Sequence, residues 1–336
     1  MTYVIGLDIG GTKIEGVLAS LNNAGTLPKV LKKIRRPTNA AAGRTAVIDN
    51  IIATILELNS HGRANVSGFR LKGIGIGTAG FLKPTSQQRN SADGGMRNRA
   101  HPDLRRGNGR MEMVPNIPSL KGVKLKEVLL QQLRQKGIKS PLFIENDSIC
   151  FALAEFMFGA AKGYRNVIGV IIGTGIGGGL ILDGRLYRGR DGGAGHIGHA
   201  TIDPSGPRCG CGQRGHFESW CSGKYITKRY VAAGGKMKNP DPAKIFGSGE
   251  PVARRIMEET YEKFGLAFAN LINTFNPEII VLGGGVSNLP NEFYRKINAE
   301  AKKYAYAAFS DGLKIVRNRL GDSAGVFGAA SLAFRK

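Results

Sequence analysis

"VIGLDIGGTKIEGVLA", residues Val4 to Ala19, sets a β-branched apolar run against a glycine turn and follows it with a second, alternating run. That is the pattern of a strand, a tight turn and a returning strand. Half a chain later the same plan recurs in "VIGVIIGTGIGGGLIL", residues Val167 to Leu182, and both copies open on Val-Ile-Gly. A supersecondary unit repeated at that distance predicts two similar α/β lobes with a cleft between them.

The segments around each copy complete a lobe. Helical spacing runs through "TAVIDNIIATILEL" (Thr45 to Leu58), and "LKGIGIGTAG" (Leu71 to Gly80) reads as a buried strand ending in a glycine turn. "PLFIE" (Pro141 to Glu145) is a strand running through "NDS", a helix-capping triplet, into the helix "ICFALAEFMFGAA". In the second half, helices at about Val252 to Phe275 and Pro290 to Ala308 flank the strand "EIIVLGGG" (Glu278 to Gly285), and "LGDSAGVFGAASLAF" (Leu320 to Phe334) closes the chain as a helix. The expected division is a first lobe over 1–146, closed by the C-terminal helix 320–336, and a second over 147–319.

The 336 residues suffice for two domains, and 42% hydrophobic with 22% charged residues is ordinary for a globular chain. Glycine is not ordinary: its 49 residues cluster beside apolar runs, where backbone has to come close to something. Lys and Arg number 48 against 25 Asp and Glu, a formal charge of +23 that favours anionic partners. The denser basic groups, Lys29 to Arg36 and Arg89 to Arg110, read as solvated surface. The second has no interleaved aromatic residues, so no nucleic-acid partner is expected. Four cysteines are too few for a disulfide framework and point to a reducing compartment. No signal-type segment opens the sequence, and the longest uncharged run, Asn166 to Leu182, is broken by six glycines. The expectation is a cytoplasmic protein without a membrane partner.

Two glycine turns can present backbone N–H groups to a chain of phosphates. The first adds Asp8, able to hold Mg²⁺ or its water, with Gly10, Gly11, the Thr12 hydroxyl and the Lys13 cation. The second, around Thr174 and Gly175, has no carboxylate and reads as a pure phosphate cradle. Neither is a Walker loop or a G-x-G-x-x-G opening a helix. "VLGGG", with Gly284 and Gly285, offers a third close approach suited to a nucleobase and ribose. Asp147, at the junction of strand and helix, is either the carboxylate that takes a proton from a phosphoryl acceptor or a helix N-cap, with Asn146 beside it.

The loop "GGAGHIGHATIDPSGPRCGCGQRGHFE", Gly192 to Glu218, gathers His196, His199, Cys209, Cys211, His216 and Glu218, side chains suited to a metal.

Taken in order, "LDIGGTKIEG", "IENDS", "GTGIGGGLILDG", "AGHIGH", "CGCGQRGHFESWCSG", "NPEIIVLGGGVS" and "GDSAGVFGAA" resemble the ROK family of sugar kinases, within the actin-like ATPase superfamily, across most of residues 3 to 330. The resemblance implies two ribonuclease H-like lobes, each a mixed sheet with flanking helices, on either side of an active-site cleft. It implies an ATP- and Mg²⁺-dependent kinase acting on a hexose, usually at the 6-hydroxyl, and a homodimer or higher homo-oligomer. Asp147 would be the general base. Asn146, His199 and Glu218 would reach sugar hydroxyls, with His196 at a position of the same group. Asp8 would organise Mg²⁺, while Gly10, Gly11, Thr12, Lys13 and Thr174 line the phosphate path. A structural zinc would be held by His199, Cys209, Cys211 and His216 within the loop 196–218, bracing His199 and Glu218 for the sugar.

Three departures from the family pattern bear on function. His216 stands where the family has a third cysteine; imidazole is a sound zinc ligand, and Cys221 is a spare thiol nearby. His196 stands where the family's E-x-G-H motif has its glutamate, exchanging two hydroxyl acceptors for one donor and one acceptor, which leaves the sugar open. The segment Pro84 to Met113, with its many arginines, is longer than usual and reads as a surface loop; the alternative is a basic flap over the phosphoryl donor. Alternative functions are an N-acetylglucosamine or N-acetylmannosamine kinase, a polyphosphate-dependent glucokinase, and a sugar-responsive ROK-type regulator. The last would carry a DNA-binding domain ahead of the first turn, for which Asp8 lies too near the start.

Overall fold

The structure is a computed structural model that describes residues 1–21, 26–83 and 110–334. The arginine-rich segment falls largely at 84–109, outside the described residues. The chain divides into two compact units, the first comprising Met1–Phe158, Arg188–Ala194 and Asp322–Lys336, the second Gly159–Tyr187 and Gly195–Gly321.

The first unit is built on a five-stranded sheet of β1 (Thr2–Ile9), β2 (Lys13–Leu21), β3 (Lys29–Pro37), β4 (Leu71–Thr78) and β7 (Leu142–Asn146), in the order β3-β2-β1-β4-β7. β1, β2 and β3 pair antiparallel, while β1, β4 and β7 are parallel. A separate ribbon pairs β5 (Phe81–Lys83) with β6 (Arg110–Glu112).

Alternation along β1 decides which helices cover the sheet. Ile5, Leu7 and Ile9 enter one core with Ile51, Ile55 and Leu58 of α1 (Arg44–Asn65) and Leu129 and Leu133 of α2 (Leu125–Gln135). Val4, on the opposite face, packs on Ala330 and Ala333 of the last helix, α10 (Ala324–Phe334). Each fully buried Ile or Leu contributes roughly 1.5–3 kcal/mol. α3 (Asp147–Phe158) lies on the α10 side, its Cys150 and Leu153 against Ala329 and Leu332.

The second unit repeats the plan. β8 (Val167–Ile172), β9 (Ile176–Leu182), β10 (Arg185–Tyr187), β11 (Ile279–Gly283) and β12 (Lys314–Arg317) form a sheet in the order β10-β9-β8-β11-β12. It has the same two antiparallel and two parallel pairings. The duplicated hairpins β1–β2 and β8–β9 occupy equivalent places in the two sheets, as the repeat predicts.

Helices α4 (Phe217–Cys221), α5 (Gly223–Ala232), α6 (Pro242–Gly247), α7 (Pro251–Phe275), α8 (Asn291–Tyr304) and α9 (Ala307–Ser310) complete the second unit. Phe217, Phe264, Phe268 and Phe293 form a buried aromatic core. Phe264 is edge-on to Phe217 and Phe293 at 5.5 and 5.4 Å.

The observed helices differ from the expected ones where local bonds intervene. α1 continues past Leu58 to Asn65, because no breaker occurs until Gly68 and Gly62 receives the Phe69 ring. The expected helix over 290–308 breaks after Tyr304, where Ala305 is extended and Asn273 Oδ1 accepts the Tyr306 N–H at 2.8 Å. Among the described residues no helix is long and apolar enough to cross a membrane.

Candidate functional site

The C-terminal ends of β1, β4 and β7 gather the chemistry of the first unit. The turn between β1 and β2 is closed by the Gly10 N–H donating to the Lys13 carbonyl at 2.9 Å. The buried Thr38 fixes it from outside, donating its hydroxyl to the Gly10 carbonyl at 2.6 Å and its N–H to the Thr12 carbonyl at 2.9 Å. At Gly11 the close approach inferred from sequence is made by the chain itself: a Cβ there would lie 2.7 Å from the Asn116 carbonyl oxygen. Thr12 and Lys13 are exposed.

Asp8 projects on the α10 side of the sheet, where a Cβ on Gly325 would lie 2.6 Å from its Oδ2. Burial, then the Asp147 carboxylate, then Glu15 push its carboxyl up to about 7, against the opposing pull of Lys13. Glu15, opposite Asp8 on β2, goes the other way. Burial alone would raise it, but Lys33 at 2.9 Å and Arg35 at 2.7 Å hold it below its ordinary value.

Asn146, not Asp147, is the helix cap. Its Oδ1 accepts the Ser148 N–H at 3.0 Å and the Ser148 hydroxyl, and its Nδ2 donates to the Gly80 carbonyl at 2.9 Å. Asp147 is the first residue of α3, with its Oδ1 accepting the same Ser148 N–H at 2.8 Å. The capping alternative for Asp147 is thus filled by its neighbour. An ion pair that the sequence reading missed lies next to them: Arg188 Nε donates to Glu145 Oε2 at 2.7 Å, with 18% and 14% of the two side chains exposed.

In the second unit, the turn between β8 and β9 is held by Gly173 N–H to Gly175 carbonyl at 2.9 Å and by Gly223 N–H to Gly173 carbonyl at 2.8 Å. Glu218 accepts the Ile176 N–H on Oε2 at 2.8 Å and leaves no room for a side chain on Gly175, whose Cβ would lie 2.6 Å from that oxygen. Thr174 is exposed. Gly284 has φ +84°, and a Cβ on it would lie 2.6 Å from the Ile172 carbonyl oxygen, so its approach is to β8; Gly285 is open. The loop bearing His196 and His199 lies flat on β9: a Cβ on Gly195 would come 2.4 Å from the Gly178 carbonyl oxygen, and one on Gly198 2.1 Å from that of Ile176.

The ligand atoms of His199, Cys209, Cys211 and His216 all lie within 4.8 Å of one another. His199 Nδ1 is 3.3 Å from His216 Nδ1, Cys211 Sγ is 3.4 Å from His216 Nδ1, and Cys209 Sγ is 3.8 Å from His199 Nδ1. A tetrahedron with zinc–nitrogen and zinc–sulfur bonds of ordinary length has edges of about 3.3 Å between nitrogens and about 3.6 Å between nitrogen and sulfur. These three distances match such a tetrahedron, and the four side chains fit a zinc ion. Burial lowers the His199 imidazole and pushes the Cys209 thiol up to about 11. Cys221 points elsewhere, its buried Sγ donating to the Thr260 carbonyl at 3.7 Å. Glu218 joins this cluster to the glycine turn, with its Oε1 3.8 Å from Cys209 Sγ. His196 is exposed, near enough for its charge to bear on His199.

The ROK family model matches residues 4–336. A glucokinase of Thermotoga maritima is 30% identical, over 98% of this chain and 96% of its own length. A xylose repressor of Bacillus subtilis is 27% identical, over 98% of this chain and 76% of its own. Among solved structures, a ROK hexokinase from Thermus thermophilus matches with a TM-score of 0.78 at 31% identity, covering 99% of this chain and 98% of that one. A ROK family glucokinase from Streptomyces griseus, in complex with glucose and AMPPNP, matches with a TM-score of 0.74 at 26% identity, covering 99% and 100%.

Proposed function

The chain belongs to the ROK family, and on that premise we propose that it is a kinase transferring the γ-phosphoryl group of ATP to a hexose, at the 6-hydroxyl of a glucose-like sugar. The observation that carries the proposal is the pairing of Asp8 and Asp147, close enough for the charge of one to raise the carboxyl of the other, with Lys13 the opposing cation. Two neighbouring carboxylates with separate tasks, one for a metal and one for a proton, are what phosphoryl transfer to an alcohol requires.

In this reading the Asp147 carboxylate takes the proton of the sugar hydroxyl as its oxygen attacks the γ-phosphorus, and ADP leaves. Asn146 orients a neighbouring hydroxyl with the amide capacity that Gly80 and Ser148 leave over. Lys13, the backbone of Gly10 and Gly11 and the Thr12 hydroxyl receive phosphate oxygens in the first unit. Thr174 and Gly175 do so in the second, with Gly284 and Gly285 beside the nucleoside. Asp8 would hold Mg²⁺ directly or through water, and the ion supplies neutralisation of phosphate charge. His199, Cys209, Cys211 and His216 would hold zinc, which with four protein ligands is structural. Glu218, His199 and His196 are the proposed partners of further sugar hydroxyls.

The family membership is shared with repressors as well as kinases, so the test is direct. The purified protein is given ATP and Mg²⁺ with glucose, mannose, fructose, allose, N-acetylglucosamine and N-acetylmannosamine. Turnover of glucose or a near epimer is expected. Turnover of an N-acetylhexosamine alone would correct the substrate, and turnover with tripolyphosphate alone would correct the donor. Sugar binding without phosphorylation by any donor would replace the kinase with a sugar-responsive regulator.

A further inference from the structure

The opposite end of the first sheet carries a second feature. Where β1, β4 and β7 begin, a groove of about 660 Å³ is lined by Asn59, Arg63, Arg70, Lys72, Lys139 and Ser140, among others. Parallel strands separate it from Asp8, Thr78 and Asn146 at their far ends; the span from Leu71 to Thr78 is about 23 Å.

Arg63, Arg70, Lys72 and Lys139 are all exposed. None of the four has an ion pair, hydrogen bond or ring contact among the described residues. Four like charges around one concavity repel one another unless an anion joins them.

A second observation is independent of charge. Asn59, on α1, is only 7% exposed, and its side chain has no hydrogen-bond partner among the described residues. Its amide reaches the solvent of the groove it lines, where it can donate to a ligand oxygen. Ser140 does not pair with it, since its hydroxyl donates to the Leu71 carbonyl at 2.9 Å.

We propose that this groove binds a small anion made of linked phosphates, its charges shared among Arg63, Arg70, Lys72 and Lys139 and one oxygen taking a hydrogen bond from the Asn59 amide. More than one phosphate is required to meet four cations. The concave shape suits a compact molecule rather than a nucleic-acid backbone, which is tracked by an extended stripe. The inference stands apart from the kinase reading, because none of these residues lies at the strand ends that carry Asp8 and Asn146.

Lysine acetylation read by mass spectrometry tests it on the full chain at about 0.15 M salt. Tripolyphosphate should slow acetylation of Lys72 and Lys139 about tenfold while leaving Lys29 and Lys302 unchanged, and Arg63→Gln with Arg70→Gln, or Asn59→Asp alone, should abolish the effect. These positions include exposed arginines whose replacement leaves the core intact, and circular dichroism verifies folding. Protection by both tripolyphosphate and metal-free ATP assigns the phosphate chain as the recognised group; protection by ATP alone assigns a nucleotide. Unchanged acetylation with either, equal protection in the variants, or protection only by orthophosphate or a single-stranded oligonucleotide would overturn the proposal.

Discussion

Asp8 is held against its own ionisation, and the cost is measurable. Its folded carboxyl, near 7, lies above the ordinary value of 3.8. The folded state therefore keeps a proton that the unfolded state releases, and stability falls as pH rises from about 4 to about 7, then levels. Asp8→Asn removes that penalty. In urea titrations of the metal-free protein it should be the more stable form at pH about 8, by on the order of 2 kcal/mol, with the difference vanishing at about pH 4. Equal stability at both pH values would contradict the burial and charge argument. At the same scale, His196→Glu should restore a two-acceptor group and raise kcat/KM for glucose by about tenfold or more, read in a coupled ADP assay; an unchanged ratio among sugars would remove His196 from selection. The places of Asp8, Lys13, Asn146 and Asp147 were legible because each stands at the boundary of a recognisable strand, whereas their roles are proposals. The Glu145–Arg188 pair was not, since partners 43 positions apart leave no local pattern.

Glycine supplies the lesson at the level of elements. The clusters were read as backbone brought close to something, and at other glycines the close approach is of helix to sheet or helix to helix. A Cβ on Gly75 of β4 would lie 1.8 Å from the Ala329 carbonyl oxygen, and one on Gly328 of α10 would lie 1.8 Å from that of Cys150. No rotamer relieves a clash with backbone, so Gly328→Ala should cost about 3 kcal/mol in urea unfolding. Gly247→Ala, where nothing lies within 4 Å, should stay within about 0.5 kcal/mol. A period-two pattern shows that a strand is buried but not what covers it, which is why this packing was hidden. The cysteine–histidine cluster is a related case. Spacing left His216 and Cys221 as alternatives, and the turn into α4 decides between them by directing Cys221 towards Thr260. Cys211→Ser should lose one equivalent of zinc by elemental analysis, whereas Cys221→Ser should keep it; the reverse result would reassign the ligands.

For the whole molecule, duplication was the strongest signal. Two hairpins of the same design half a chain apart anticipated two sheets of the same strand order, and family membership accords with that architecture. The charge of +23 was less informative. Net charge names a sign of partner without a place, and Lys139, ahead of β7, joins Arg63, Arg70 and Lys72 only because β7 pairs with β4 in the fold. Substrate choice was least legible, because it rests on a few hydroxyl contacts and His196 alters one of the proposed partners.

The proposed kinase stands or falls on Asp147. Turnover of the preferred sugar with ATP and Mg²⁺ should be measured for the wild type and Asp147→Asn, with sugar affinity measured by calorimetry on both. A proton acceptor lost without a change of shape predicts kcat lower by about 10³-fold or more and a sugar Kd within about threefold of wild type. Turnover retained by Asp147→Asn would contradict the assignment and require another base.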